Sequence, residues 1–218
     1  MIVSFRHQFI FLAVPRTASH AIRQSLRPHL AATDWEQSLL FGPRCAPVQA
    51  LAALRHGHVS ATQLRPFLPP WDEYLKFAVV RNPYSRFLSA AAFLYRDTPL
   101  PEDPRSVLKR LVSSQDKWAR LLLRPMVDTL LIEDELAVDV VCRFEHLEQD
   151  LAGLFGRLQL PFDGLPRANA SAGLGFEAYD AELEQMVGEF YARDFSRFGY
   201  SRSLSGGEDS FCWLQRVD

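Results

Sequence analysis

The chain has 218 residues, 48% apolar and 23% charged, a balance that excludes disorder and supplies a core for one compact domain, with two small ones the alternative. A formal charge of -2 excludes a nonspecific nucleic-acid binder, whose affinity would need a strongly basic surface, so any anion site must be local. Only Lys76, Lys109 and Lys117 are lysines; arginine, the better fork for phosphate oxygens, supplies the other basic side chains.

In chain order, Phe9 to Val14 is an unbroken apolar run of strand formers, the pattern of a strand buried on both faces, and Pro15 stops it. From Ser19 the apolar residues Ile22, Leu26 and Leu30 recur every fourth position and predict a helix that Pro28 ends or bends. Within the mixed segment 31–75, Ser60-Ala61-Thr62-Gln63 has capping-box spacing, which starts a short helix and leaves His58 just before it. Strand, loop and helix return at Lys76 to Val80, Arg81-Asn82-Pro83 and Tyr84 to about Tyr95. Asp103-Pro104 form a cap and first-turn pair for a helix through Val107, Leu108 and Leu111. A third copy runs from Val138–Phe144 as strand into Glu145–Leu158 as helix. Leu183, Met186, Val187, Phe190 and Tyr191 form a helical stripe, and a loose tail is expected from about Ser203. Such alternation predicts an α/β fold whose parallel sheet is covered on both faces, with ligands beyond the carboxyl ends of its strands.

Cys45, Cys142 and Cys212 are odd in number and lack metal-ligand spacing. No charged leader with an apolar stretch opens the chain, and no window approaches the ~20 apolar residues that cross a bilayer. A cytoplasmic protein without membrane insertion is expected.

The first loop, Val14-Pro15-Arg16-Thr17-Ala18-Ser19-His20, aims backbone N–H groups, hydroxyls and a helix amino end above the strand, which makes an anion cradle. It lacks the Gly-x-x-x-x-Gly-Lys-Ser/Thr pattern of nucleoside triphosphatases, and by itself is equally an ordinary strand-to-helix turn. The second loop, Arg81-Asn82-Pro83-Tyr84-Ser85-Arg86-Phe87-Leu88-Ser89, puts an arginine at a strand end and a serine two helical turns in, where a fork and a hydroxyl can share one anion.

That second stretch resembles the 3′-phosphate motif of the sulfotransferases that use 3′-phosphoadenosine-5′-phosphosulfate (PAPS), in which the arginine and the serine eight residues on hold the phosphate. The resemblance implies a P-loop-like three-layer fold and makes Pro15 to Ser19 the 5′-phosphosulfate loop, with Arg16 where the family has lysine. Arg16, Thr17, Ala18, Ser19, His20, Arg81 and Ser89 are then the donor-binding residues. Arginine keeps the charge but is longer and planar, so the departure bears on rate more than on binding.

Arg55-His56-Gly57-His58-Val59-Ser60 resembles the His-Gly-His-Val-Ser stretch of the uronosyl 2-O-sulfotransferases of heparan sulfate, whose loop is also close to Val14 to Ser19. The resemblance implies His58 as catalytic base, His56 in support, and an acceptor hydroxyl on a glycan or glycoside. An imidazole of ordinary pKa near 6.5 is mostly neutral at pH 7 and can take the proton; a histidine before a helix start can equally be a cap or a packed polar group. Arg143-Phe144-Glu145 resembles the family's strand-end segment, with a structural glutamate. Leu165-Pro166-Arg167-Ala168-Asn169-Ala170-Ser171 resembles the Leu-Pro-x-x-Asn-x-Ser loop that closes over the nucleotide, which adds Arg167 and Ser171 to the binding set. Asp194 to Tyr200 has the family's Asp-Phe-x-x-Phe-Gly-Tyr form and reads as packing.

The resemblance spans Phe9 to Tyr200. Residues 31–54 and 96–137 match no motif and are expected to shape the acceptor pocket, where Lys109, Arg110, Lys117, Arg120 and Arg124 could line a basic groove. The expected reaction is one in-line displacement without metal: Arg16 and the loop amides stabilise charge on the departing phosphate, His58 takes the acceptor proton, and Arg81 grips the donor's other end. Two other readings stay open. A P-loop-like small-molecule kinase would want a Gly-Lys-Ser/Thr loop and a magnesium carboxylate, neither evident; a noncatalytic nucleotide-binding relative has Arg16 as its one hint. Polysaccharide, glycolipid, glycoside and peptidyl tyrosine all stand as acceptors, with His56-Gly57-His58 favouring sugars.

Overall fold

The computed structural model describes residues 1–37, 44–98, 101, 103–166 and 174–204. In chain order the elements are β1 (Ile2–Ser4), β2 (Phe9–Leu12), α1 (Ser19–Leu26), β3 (Trp35–Glu36), α2 (Gln49–Ala52), α3 (Ala61–Leu64), β4 (Leu75–Val80), α4 (Pro83–Leu94), α5 (Arg105–Val112), α6 (Lys117–Leu123), α7 (Val127–Leu130), β5 (Leu131–Ile132), β6 (Glu135–Leu136), β7 (Val140–Arg143), α8 (Leu147–Arg157), α9 (Ala181–Phe190) and α10 (Ala192–Phe198). They sort into two compact units, one formed by Met1–Val80 with the chain from Asp128 to Pro166, the other by Arg81–Val127 with residues 174–204.

The first unit is an α/β structure around a five-stranded sheet in the order β3-β1-β2-β4-β7. β2, β4 and β7 are parallel, in a register that sets Leu12 beside Ala78 and Val80 beside Arg143, so their carboxyl ends share one edge of the sheet. The predicted parallel sheet is therefore present as three of the five strands. Two antiparallel strands, β1 and β3, extend it on the β2 side, as mixed sheets of this class often do. Asp34, buried between them, accepts from Ser4 Oγ at 2.9 Å, Phe5 N at 2.8 Å and Ala31 N at 2.9 Å, and so fastens the turn that sends β1 into β2.

Alternate residues of β2 and β4 explain the covered face. Phe9, Phe11, Phe77 and Val79 point with Cys142 into one apolar cluster closed by Ile22 and Leu26 of α1 and by Leu151, Leu154 and Phe155 of α8. Phe11 stacks on Phe77 with centroids 5.0 Å apart. Each fully buried side chain of this kind is worth roughly 1.5–3 kcal/mol, which fixes α1 and with it the loop at its start. Ile10, Leu12, Ala78 and Val80, on the other face, are fully buried as well, as the unbroken apolar runs require.

In the second unit α4 packs on α9, and Tyr84 lies 4.8 Å from the Phe195 ring. α5 begins at Arg105 with Pro104 as its N-cap, one residue later than the sequence reading, while Asp103 Oδ1 still accepts from Arg105 N at 3.1 Å. Lys109 donates to Asp180 at 2.8 Å and to Glu182 at 2.6 Å. Its charge thus ties α5 to the start of α9, an engagement the basic-groove expectation did not include. No helix among the described residues is long and apolar enough to cross a membrane.

Candidate active site

The loop after β2 is built by backbone conformation. Arg16 and Ala18 both adopt left-handed φ, 64° and 61°, at a cost of roughly 1–2 kcal/mol for each non-glycine residue. Fully buried Thr17 closes the turn, its Oγ1 donating to the Val14 carbonyl at 3.0 Å. The Thr17 hydroxyl proton is thereby spent on the loop, which narrows its expected ligand role to the backbone and the oxygen lone pairs. α1 then starts at Ser19 with Ala18 as N-cap, which offers no capping side chain. Among the described residues no N-cap side chain takes the first-turn N–H groups of α1, and these groups with the positive end of the helix dipole make the arrangement that suits an anion. Arg16 and Ala18 are half-buried, Ser19 is buried and His20 exposed.

Three residues before Arg16, the Ala13 carbonyl accepts from His58 Nδ1 at 2.7 Å. A carbonyl can only accept, so Nδ1 holds the proton and Nε2 carries the lone pair. The opposite tautomer follows for His56, whose Nδ1 accepts the His58 main-chain N–H at 3.2 Å. The rings lie near-parallel with centroids 6.5 Å apart. Directly after them, Ser60 caps α3 as the sequence predicts: Gln63 N donates to Ser60 Oγ at 3.3 Å and Ser60 N to Gln63 Oε1 at 3.0 Å. The cap of α3 is thus Ser60 and not His58, whose hydrogen bond to Ala13 fits a packed polar group as well as an oriented base.

Burial holds the His58 pKa down to about 3; the Ala13 hydrogen bond opposes this, while the Met1 amino group, then the Arg23 charge and His56, add to it. The folded chain takes up this proton near pH 3, the unfolded chain near 6.5, so between those values the folded state binds fewer protons. Stability therefore falls as pH drops through that window, by at most ~1.4 kcal/mol per pH unit from this group. Thermal melts between pH 7 and 4 should show the loss, and His58→Asn should flatten it; identical pH slopes in the two proteins would contradict the burial of a neutral imidazole.

The loop after β4 works by side chains. Asn82 caps α4, its Oδ1 accepting from Tyr84 N at 3.0 Å and Ser85 N at 3.4 Å, so the leading amides are occupied from within. An anion at this end must be met by side chains instead. Arg81 Nε donates to Ser85 Oγ at 2.8 Å, which fixes the plane of the guanidinium. Ser85 and Ser89, four apart on α4, share a helix face. Ser85, which holds Arg81, was not singled out by the sequence reading; its signal was the spacing of four from Arg81.

At the third strand end, Arg143 N donates to Asp150 Oδ2 at 2.6 Å, and burial raises the Asp150 pKa. Glu145 is exposed, in line with a noncatalytic residue. In the first unit the predicted residues Arg16 to His20 occupy the loop and first turn of α1, and His56 and His58 adjoin the loop's base. In the second unit Arg81 stands at the head of the helix that carries Ser89. Arg167 and Ser171 lie outside the described residues. Unforeseen are Arg23 and Gln37, buried polar side chains that reach the histidine stretch: Arg23 Nη2 lies 3.3 Å from the Gly57 carbonyl and Gln37 Nε2 3.1 Å from that of His56.

Comparison with known proteins bears on this geometry. A family model described as the sulfotransferase family matches residues 1–201. No curated protein and no solved structure matches the chain. With the match extending over both strand-end loops, the histidine pair and α10, the chain belongs to the sulfotransferase family, whose chemistry is sulfuryl transfer.

Proposed function

We propose that this sulfotransferase uses PAPS as donor and a carbohydrate hydroxyl as acceptor, with His58 as base. The observation that carries the reading is the 2.7 Å hydrogen bond from His58 Nδ1 to Ala13: one contact joins the candidate base to the start of the anion cradle and leaves Nε2 as an acceptor. In the step proposed, the acceptor oxygen attacks sulfur, the bond from sulfur to the 5′-phosphate oxygen breaks, and Nε2 receives the hydroxyl proton. 3′-Phosphoadenosine 5′-phosphate departs. The left-handed loop and the amino end of α1 suit the phosphosulfate, and Arg16 supplies a full charge where the phosphate oxygen becomes anionic. Arg81, oriented by Ser85, and Ser89 suit the 3′-phosphate. The histidine stretch supports a sugar acceptor; transfer from labelled PAPS to a panel of glycans, glycosides and tyrosine peptides tests it, and labelling of the peptides alone would overturn it.

The donor assignment has its own test. Arg81→Ala should weaken binding of 3′-phosphoadenosine 5′-phosphate, measured by calorimetry, by roughly 10- to 100-fold, the scale of one charged hydrogen-bonding contact of about 1.5–3 kcal/mol. Unchanged affinity would remove Arg81 from the phosphate site.

A further inference from the structure

Arg23 is a cation that packing alone does not account for. It sits on α1, one turn past Ser19, at 7% exposure. Glu36, the carboxylate whose charge it feels, is engaged by Arg27 Nε at 2.8 and 3.0 Å. Among the described residues Arg23 Nε has no hydrogen-bond partner, and Nη2 donates to the Gly57 carbonyl at 3.3 Å. Burying an incompletely satisfied guanidinium is costly, and an apolar residue of similar volume usually serves stability as well or better. The hydrogen bond lands on the glycine between the two histidines.

Gln37, 6% exposed, acts on the neighbouring carbonyl, its Nε2 donating to His56 O at 3.1 Å and Leu51 O at 2.7 Å. With the His58 N–H taken by His56 Nδ1 and the His58 ring by Ala13, the His56 carbonyl, the Gly57 carbonyl and the His58 N–H each have a named partner, and the Gly57 carbonyl accepts from the Met1 amino group as well as from Arg23. We propose that Arg23, seconded by Gln37, is a positioning residue that fixes the His56-Gly57-His58 backbone and so aims His58 Nε2. The inference deepens the reading of His58 as base and rests on it.

Arg23→Met, which keeps bulk and removes the donors, should lower kcat roughly 10- to 100-fold, the scale of a misaimed catalytic group. Affinity for 3′-phosphoadenosine 5′-phosphate should stay unchanged, and Arg23→Lys should recover part of the loss. In a His58→Ala background the same substitution should cost less than about twofold, because the group it aims is gone. Nitrogen NMR of the ligand-free protein gives a reading independent of turnover: the His58 Nδ1–H signal should move in Arg23→Met and in Gln37→Met. An unmoved signal in either folded variant overturns the positioning role, as does an equal kcat loss in both backgrounds. Full turnover in His58→Ala would overturn the base assignment instead, a failure the NMR arm tells apart. Should Arg23→Met not fold, Gln37→Met and Arg23→Lys carry the same measurements.

Discussion

Replacing His58 by alanine is expected to lower kcat by roughly 10² to 10⁴, the usual loss on removing a general base, while leaving nucleotide affinity nearly unchanged. The size follows from what the ring can do. Its Nδ1 proton is committed to Ala13, so Nε2 is a lone pair with a fixed direction, and neutral at any pH at which the enzyme would be assayed. Because burial holds the donor-free imidazole down to about 3, the acid limb of kcat/KM contributed by His58 should be absent near pH 6.5 and emerge only far below it. If His58 is the base proposed above, one so weak in the free protein must gain strength during turnover, and an anionic donor seated at the adjoining loop would supply the favourable charge. The profile for kcat, which reports the ternary complex, should therefore titrate at higher pH than that for kcat/KM. Wild-type turnover in the alanine variant would remove His58 from the mechanism.

Strands whose side chains meet apolar surroundings on both faces were legible, as β2 and β4 show, because burial demands an unbroken apolar run. So was the cap of α3, where Ser60 and Gln63 satisfy each other at a spacing visible in the chain. β1 and β3 were not, at three and two residues too short to carry a period. The β5–β6 hairpin was hidden for another reason: its turn puts Glu133 and Asp134 at φ 50° and 65° without the glycine that usually marks such a turn. In the candidate site, Arg16, His58, Arg81 and Ser89 were singled out because a motif resemblance carries them, and their roles remain those proposed above. Arg23 and Gln37 were not, since each acts on a carbonyl 34 or 19 positions away, and no local pattern records a contact at that range.

The segment from Asp194 to Tyr200, which reads as packing, holds a second consequence. Asp194 and Arg86 are both fully buried, their nearest charged atoms 3.8 Å apart. The carboxylate also accepts from Met126 N and Val127 N, each at 2.9 Å, while Arg86 donates to the Leu122, Leu123 and Arg124 carbonyls and lies 4.8 Å over the Tyr191 ring. Asp194→Ala would strand a buried cation and two main-chain donors together, which typically costs about 3–5 kcal/mol, or roughly 6–20 °C in Tm for a chain of this size. Lys109→Met, which breaks two partly exposed ion pairs in the same unit, should move Tm little. The damage should also reach the donor site, because Met126 Sδ accepts from Arg81 N at 3.5 Å: once Met126 loses its anchor, Arg81 loses a neighbour that holds the head of α4. Asp194→Ala, assayed below its melting temperature, should therefore bind 3′-phosphoadenosine 5′-phosphate more weakly than wild type, whereas Lys109→Met should not. A variant at Asp194 that melts within a degree or two of wild type would show that the buried pair contributes nothing net, and unchanged nucleotide affinity would detach the packing motif from the proposed phosphate site.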